Sequence, residues 1–334
     1  MPNGGVSIPI HKPTPPKRQS SAGRGLKSVL FFVFSILLCL TPLHGWGADW
    51  TPLIDRLVSD GYNEKVIRSF FNHPQVRFDP APMSQKIESL VRRPSRKPPQ
   101  DQYGIIKDVY RGFLQPEAIN RAYAFSHENK KTLQRMRARY CVPEEVVVSI
   151  MLVETGLGKN MGSKKAFNVL ASMAVTQDLD KIRVFLPYDL LTPANEGYAR
   201  ARCREKADWA YHELKSLLRY AEKNKMDPLE IPGSIFGAIG LCQFMPSNIS
   251  SYGVDTDGDG RIDLFAMDDA LHSIGKYLRK HGWKCQMSRK NQHRVVMAYN
   301  HSHVYANTVL SVAEKLRSKT RSNERQRAQQ TNRS

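Results

Sequence analysis

Apolar residues recur at helical spacing through most of this chain, and strict alternation runs nowhere for a useful length. Trp50, Leu53, Ile54, Leu57 and Val58 form one stripe, and Val66, Ile67, Phe70 and Phe71 form another, so residues 49–90 read as helical. Pro80, Pro82 and the cluster from Arg92 to Pro99 mark loops. Pro116-Glu117 opens a further helix, with proline in its first turn and acid beside it, and the pattern carries it on through Tyr123, Phe125 and Leu133. Pro143-Glu144-Glu145 starts a helix that ends at Glu154, with Gly156 as its stop. Residues 175–200 read as irregular. An amphipathic helix covers 205–224 through Trp209, Leu214, Leu217, Leu218 and Ala221, and helices follow at 268–281 and about 303–317. There is no internal repeat and no nucleotide-binding glycine loop. The body is expected to be mainly α.

Charge and hydropathy set the ends apart from this body. Val29 to Leu40 is apolar and follows Lys12, Lys17, Arg18, Arg24 and Lys27. It is shorter than the roughly 20 residues of a membrane span. It reads as the core of an export signal, with Gly45-Trp46-Gly47 as a cleavage site and an uncleaved anchor as the rival. Residues 1–48 are therefore assigned to targeting, 49–317 to the functional body, and 318–334 to a basic, disordered tail. The chain of 334 residues has 50 Lys and Arg against 31 Asp and Glu, a formal charge of +19. Such a protein attracts polyanions: nucleic acid, anionic lipid or an acidic wall polymer. Cys39 lies in the signal, which leaves Cys141, Cys203, Cys242 and Cys285. Four cysteines allow three complete pairings, and the sequence selects none.

Two segments carry chemistry. Glu154 closes the apolar run Val146 to Val153. Burial and the negative end of the helix dipole both disfavour its carboxylate, which suits a carboxylic acid that protonates a glycosidic oxygen. The second segment is Asp255-Thr256-Asp257-Gly258-Asp259-Gly260-Arg261-Ile262-Asp263. Three carboxylates at alternate positions and a glycine at the sixth match the front half of an EF-hand loop. The twelfth position is Ala266, so Asp268 or Asp269 is expected to supply the closing carboxylate. That departure argues for a structural ion rather than a switch.

Taken together, Val142-Pro143-Glu144-Glu145 through Glu154-Thr155, Gly158, Met161-Gly162, Gly233-Ser234, Gly237-Ala238, Gln243 to Ser247, the Asp loop, Tyr277, His281-Gly282-Trp283 and Ala298-Tyr299-Asn300 are collinear with one family. Over about residues 50–317 the chain resembles the membrane-bound lytic murein transglycosylase B family, glycoside hydrolase family 103. The resemblance implies a lysozyme-like helical core domain with an additional helical domain and an EF-hand-like calcium loop. It implies cleavage of the β-1,4 bond between N-acetylmuramic acid and N-acetylglucosamine in peptidoglycan, leaving a 1,6-anhydromuramic acid end. Glu154 matches the single catalytic acid. Ser234, Gln243, Tyr277, Tyr299 and Asn300 match cleft positions that hold sugar or orient the acid. Asp255, Asp257, Asp259, the Arg261 carbonyl and Asp269 match ligands of a structural Ca2+, and no organic cofactor is implied. Leu157 stands where the family commonly has a bulky aromatic, and Leu241-Cys242 where it shows an aromatic and a glycine.

The expected partners are peptidoglycan strands and other cell-wall enzymes, with the protein exported to the periplasm as a monomer. Nucleic acid is not expected, because no reading helix or aromatic platform accompanies the Arg-rich tail. The alternatives are a hydrolytic muramidase on the same fold and a wall-binding module without catalysis. Residues 177–204, with Val184, Phe185, Leu186 and Tyr188 between polar ends, are expected to pack as a flap along the glycan groove or to form a solvated loop.

Overall fold

A buried helix dictates the architecture. In the computed structural model, which describes residues 49–92 and 108–331, the run from Val146 to Leu152 is buried on every side. A helix apolar all round belongs at a centre, with other helices laid over it. The chain supplies them in order. α1 (Thr51–Ser59), α2 (Glu64–Phe71) and α3 (Ala81–Val91) come first. α4 (Pro116–Glu128) and α5 (Lys130–Tyr140) lead into the buried α6 (Glu144–Thr155). α7 (Ala166–Val175) and the long α8 (Glu196–Asn224) follow, then α9 (Pro246–Tyr252), α10 (Met267–Lys280), α11 (Arg289–Tyr299) and α12 (His303–Thr331). α6 packs against α4 and α12, α5 against α10, and α7 against α8. α3 packs on α7 and α8, and α1 on α7, so the first helices join the same core. No helix among the described residues is long and apolar enough to cross a membrane.

The strands are minimal. β1 (Lys164–Lys165) pairs antiparallel with β2 (Pro232–Gly233), Lys164 facing Gly233. Single bridges continue the pairing from Gly233 to Ile239 and from Ile239 to Phe244. This ribbon binds the chain after α6 to the segment before α9. Gly162, at φ +95°, makes the approach possible: a Cβ there would stand 2.1 Å from the Gly233 carbonyl oxygen.

The structure adds to or departs from the sequence reading in several places. The helix from Pro116 does not run through Leu133. Asn129 ends α4 by donating its side-chain amide to the Phe125 carbonyl at 2.9 Å, and α5 starts afresh. Residues 175–200 are less irregular than expected. A 3-10 turn spans Leu179–Phe185, and α8 begins at Glu196 rather than near 205. Its first turns show few apolar residues because charge holds them. Arg200 pairs with Glu196 and Asp180 at 2.8 and 3.0 Å. α7 and α11 escape a periodicity reading, α7 because Ala166–Val175 is buried throughout and presents no polar face. The basic segment expected to be disordered from residue 318 instead continues α12 through Thr331. Arg, Glu, Gln and Ala resemble a disordered composition, yet they are good helix formers, and no glycine or proline interrupts them. Finally, one pairing of cysteines is realised: Cys141, after α5, bonds Cys285, before α11, while Cys203 and Cys242 are buried free thiols. The targeting assignment for residues 1–48 lies outside the described residues.

Candidate active site

Glu154 occupies the last turn of α6, and the local sequence fixes how that turn ends. Gly156 adopts the left-handed conformation of a helix stop, at φ 59°. Thr155, fully buried, ties the end down. Its hydroxyl lies 3.3 Å from the Leu241 carbonyl and accepts the Gly158 N–H at 2.9 Å. The carboxyl of Glu154 is thereby presented from a rigid, apolar support.

One hydrogen bond dominates its surroundings. The Tyr305 hydroxyl, on the first turn of α12, donates to Glu154 Oε1 at 2.6 Å. Burial pushes the Glu154 carboxyl up to about 7, and the Tyr305 bond only partly opposes that rise. No second carboxylate among the described residues acts on it. Tyr305 is itself buried, and desolvation first, then the neighbouring Glu154, lifts its hydroxyl well above the ordinary tyrosine value. It therefore stays a donor.

Behind Tyr305 stands a row of aromatic rings. Tyr299 lies parallel to it at 6.5 Å, Tyr277 meets Tyr299 edge-on at 4.9 Å, and Phe244 packs 5.4 Å from Tyr277 and 5.9 Å from Tyr299. The hydroxyls of the two predicted tyrosines are already committed. Tyr299 donates to the Cys242 carbonyl at 2.6 Å and Tyr277 to the Ala298 carbonyl at 2.7 Å. Desolvation raises Tyr277 to about 12.

The other predicted residues divide by what their polar atoms already do. Gln243 sits at φ 51°, and its Nε2 donates to the Gly240 and Met161 carbonyls at 2.9 and 3.2 Å. It pins the loop after α6 to the ribbon, and its Oε1 accepts no hydrogen bond within the described structure. Ser234 Oγ accepts from Ala238 N and Phe236 N at 3.0 and 3.3 Å, holding its own turn. Asn300 ends α11 with an exposed side chain that enters none of the described hydrogen bonds. Glu154, Tyr277 and Tyr299 thus share one neighbourhood, and Gln243 follows Cys242, on which Tyr299 rests. Ser234 and Asn300 make no described hydrogen bond to Glu154. Tyr305 escaped the sequence reading. Its only signal is a place on the apolar stripe with Val309, Val312 and Leu316, which reads as core.

The Asp loop forms the expected cluster. Carboxylate oxygens of Asp255, Asp257 and Asp259 lie within 4.8 Å of one another. Three converging like charges and all-oxygen donors fit a hard divalent cation such as Ca2+. Asp269 stands outside that cluster. Its two oxygens accept Thr256 N and Asp263 N at 2.9 and 2.8 Å, closing the loop through its backbone. Asp268 points elsewhere, to Thr132 at 2.6 Å and Arg135 at 2.7 Å. The 177–204 segment packs on α3 and α8, and Arg92 reaches Asp189 at 3.0 Å. Val184 and Tyr188 are exposed and Leu186 is buried.

The family described as Transglycosylase SLT domain matches residues 46–291. Membrane-bound lytic murein transglycosylase B of Escherichia coli strain K12 is 31% identical over 231 residues, 69% of this chain and 56% of that protein. The chain thus spans little more than half the length of that relative. Among solved structures, soluble lytic transglycosylase SltB1 of Pseudomonas aeruginosa matches with a TM-score of 0.60 at 23% identity, covering 82% of this chain and 100% of that one. The Escherichia coli lytic transglycosylase Slt35, solved in complex with calcium, matches with a TM-score of 0.58 at 20% identity, covering 81% and 95%. The fold is the mainly helical, lysozyme-like one of these structures.

Proposed function

Because the chain belongs to the Transglycosylase SLT domain family, we propose that it is a lytic transglycosylase acting on peptidoglycan. It cleaves the β-1,4 bond between N-acetylmuramic acid and N-acetylglucosamine and leaves 1,6-anhydromuramic acid ends. The observation that carries this reading is a single carboxyl group, raised to about 7, with no carboxylate partner among the described residues.

That arrangement suits a two-stroke mechanism. Tyr305 occupies a lone pair of Oε1, so the acidic proton resides on Oε2. Protonated Glu154 donates it to the leaving glycosidic oxygen as positive charge develops at the anomeric carbon. The carboxylate, now held by Tyr305, takes the proton of the muramic acid 6-hydroxyl, which attacks the same carbon. A pKa near 7 serves both strokes, since neither protonation state is far uphill. The nucleophile belongs to the substrate, so the second carboxylate of an ordinary glycosidase is not required.

The remaining residues take roles set by their free atoms. Gln243 Oε1 and the Asn300 amide are the groups left to meet sugar. Tyr277 and Tyr299 act through their rings, as a wall behind the acid, and Ser234 keeps its turn in shape. Ca2+ on Asp255, Asp257 and Asp259 would neutralise their repulsion and brace the loop. The calcium complex of Slt35 supports that assignment. The proposal places the protein outside the cytoplasm, on the wall, as a monomer working beside other wall enzymes.

Mass spectrometry of digested sacculi tests the chemistry. Anhydromuropeptides are expected. Products carrying only reducing ends would replace the proposal with a hydrolytic muramidase.

A further inference from the structure

Four cations that no role above employs surround a concave pocket beside the Asp loop. Arg139 from the end of α5 and Lys276, Arg279 and Lys280 from the end of α10 line a cavity of about 330 Å3 together with Tyr140 and the chain from Gly253 to Asp255. That size is at the lower end of ligand pockets. None of the four cations pairs with a carboxylate among the described residues. Lys276 donates to the Gly253 carbonyl at 2.9 Å, Arg279 to the Trp283 carbonyl at 2.9 Å, and Arg139 stands 5.5 Å from the Tyr140 ring centroid. The acid at the rim, Asp255, turns both oxygens to Gly258 N and Gly260 N. Some cations elsewhere on the surface do pair with carboxylates, as Arg56 with Asp208, Arg135 with Asp268 and Lys215 with Asp60.

Crowded like charges without a counter-ion are a standing cost, and a bound anion removes it. The cost is visible at Lys276, which burial first, then Lys280 and Arg139, hold below the ordinary lysine value. The negative ends of α5 and α10 account for cations in their last turns. They do not account for Lys276, one turn further in on the same face of α10 as Arg279 and Lys280. A row of packed rings runs from beside the pocket to the acid. Gly253 follows Tyr252, whose ring meets Tyr277 at 4.6 Å, and from Tyr277 the row runs through Tyr299 and Tyr305 to Glu154.

We propose that this pocket binds an oxyanion, and that its occupant is a carboxylate of the peptide stem on the glycan strand being cleaved. The choice of stem rests on the peptidoglycan reading; the oxyanion chemistry does not. Two guanidinium forks and two ammonium groups suit a carboxylate or a phosphate alike. The stem is the source that arrives covalently linked to the sugar at Glu154.

The experiment titrates the full chain with a fluorescent stem tetrapeptide bearing free carboxylates, with its amide-capped counterpart, and with inorganic phosphate as competitor. Arg139→Gln/Lys280→Gln is the test variant, since both side chains are exposed. The free peptide should bind, and about tenfold more weakly to the variant, as expected for losing charge-assisted contacts. The capped peptide should bind poorly to both. Cleavage of stem-free glycan should be unchanged in the variant, while cleavage of intact sacculi falls severalfold. Equal binding by wild type and variant, or none, overturns the pocket. Binding of phosphate but not of peptide overturns the stem as occupant. A wild type that binds the peptide but cleaves neither glycan retains the pocket and sinks the lytic reading.

Discussion

A carboxyl group raised to about 7 inside an apolar helix end couples activity and stability to pH in the same sense. The group's ordinary value is 4.5, and burial raises it to about 7 in the folded protein. The folded state therefore holds its proton more tightly than the unfolded one. The stability linked to that proton is fully present below 4.5 and is lost as pH rises through 7. Glu154→Gln keeps the shape but neither donates a proton nor ionises. It should lower turnover at least about 100-fold. Its melting temperature should exceed that of wild type by a margin that grows from pH 5 to pH 8. A margin that stays flat would place the ionisation elsewhere. The reaction begins from the protonated acid, so the rate should fall as pH rises past 7. Tyr305→Phe removes the hydrogen bond that favours the carboxylate. Its alkaline limb should move to higher pH, and kcat at pH 7 should drop as the base stroke loses support. A limb that moves down, or does not move, would deny Tyr305 this role.

At the scale of elements, the α5–α10 contact carries a buried weakness. His272 on α10 is buried, packs edge-on to Tyr140 at 6.0 Å, and neither ring nitrogen has a hydrogen-bond partner. Burial first, then Arg135 and Arg139, push it below its ordinary 6.5, while Asp268 and Asp269 pull the other way. The folded protein keeps this ring neutral and the unfolded chain does not. The stability so linked is present above 6.5 and is lost as pH falls below it. In a Glu154→Gln background, which removes the opposing change at that carboxyl, His272→Phe should melt at nearly the same temperature at pH 7.5 and 5.5, whereas the chain with His272 intact should melt lower at the acid end. An equal drop in both would assign the acid sensitivity to another group. The neighbouring Cys141–Cys285 bridge spans 144 residues of sequence and ties α5 to the start of α11. It secures the same region against separation.

Over the whole molecule, charge and the proposed calcium ion bear on the conditions under which the protein works. A net charge of +19 attracts polyanions, an acidic wall polymer among them. Calcium on the Asp loop should act through mass action, stabilising by about 3 kcal/mol at a hundredfold excess over its dissociation constant. Chelation should lower the melting temperature, and Asp257→Ala should abolish the response. Identical melting curves with and without chelator would reduce the loop to a turn.

The sequence by itself determined what local chemistry can encode. The apolar run before Glu154 announces a buried helix, Gly156 its stop, and the spacing of Asp255, Asp257 and Asp259 a loop of converging carboxylates. These signals lie within a few residues of one another, so periodicity and turn rules reach them. The tertiary structure decided what depends on residues far apart. Tyr305 meets Glu154 across 151 positions. Tyr277 and Tyr299 spend their hydroxyls on the Ala298 and Cys242 carbonyls, which no spacing discloses. Asp269 was legible as a loop carboxylate, yet only the packed α10 turned it onto Thr256 N and Asp263 N. One bridge, Cys141–Cys285, formed and two thiols stayed free, because α5 and the chain before α11 came within bonding distance. Burial is a property of the assembled core, and it is burial that raises Glu154 to about 7.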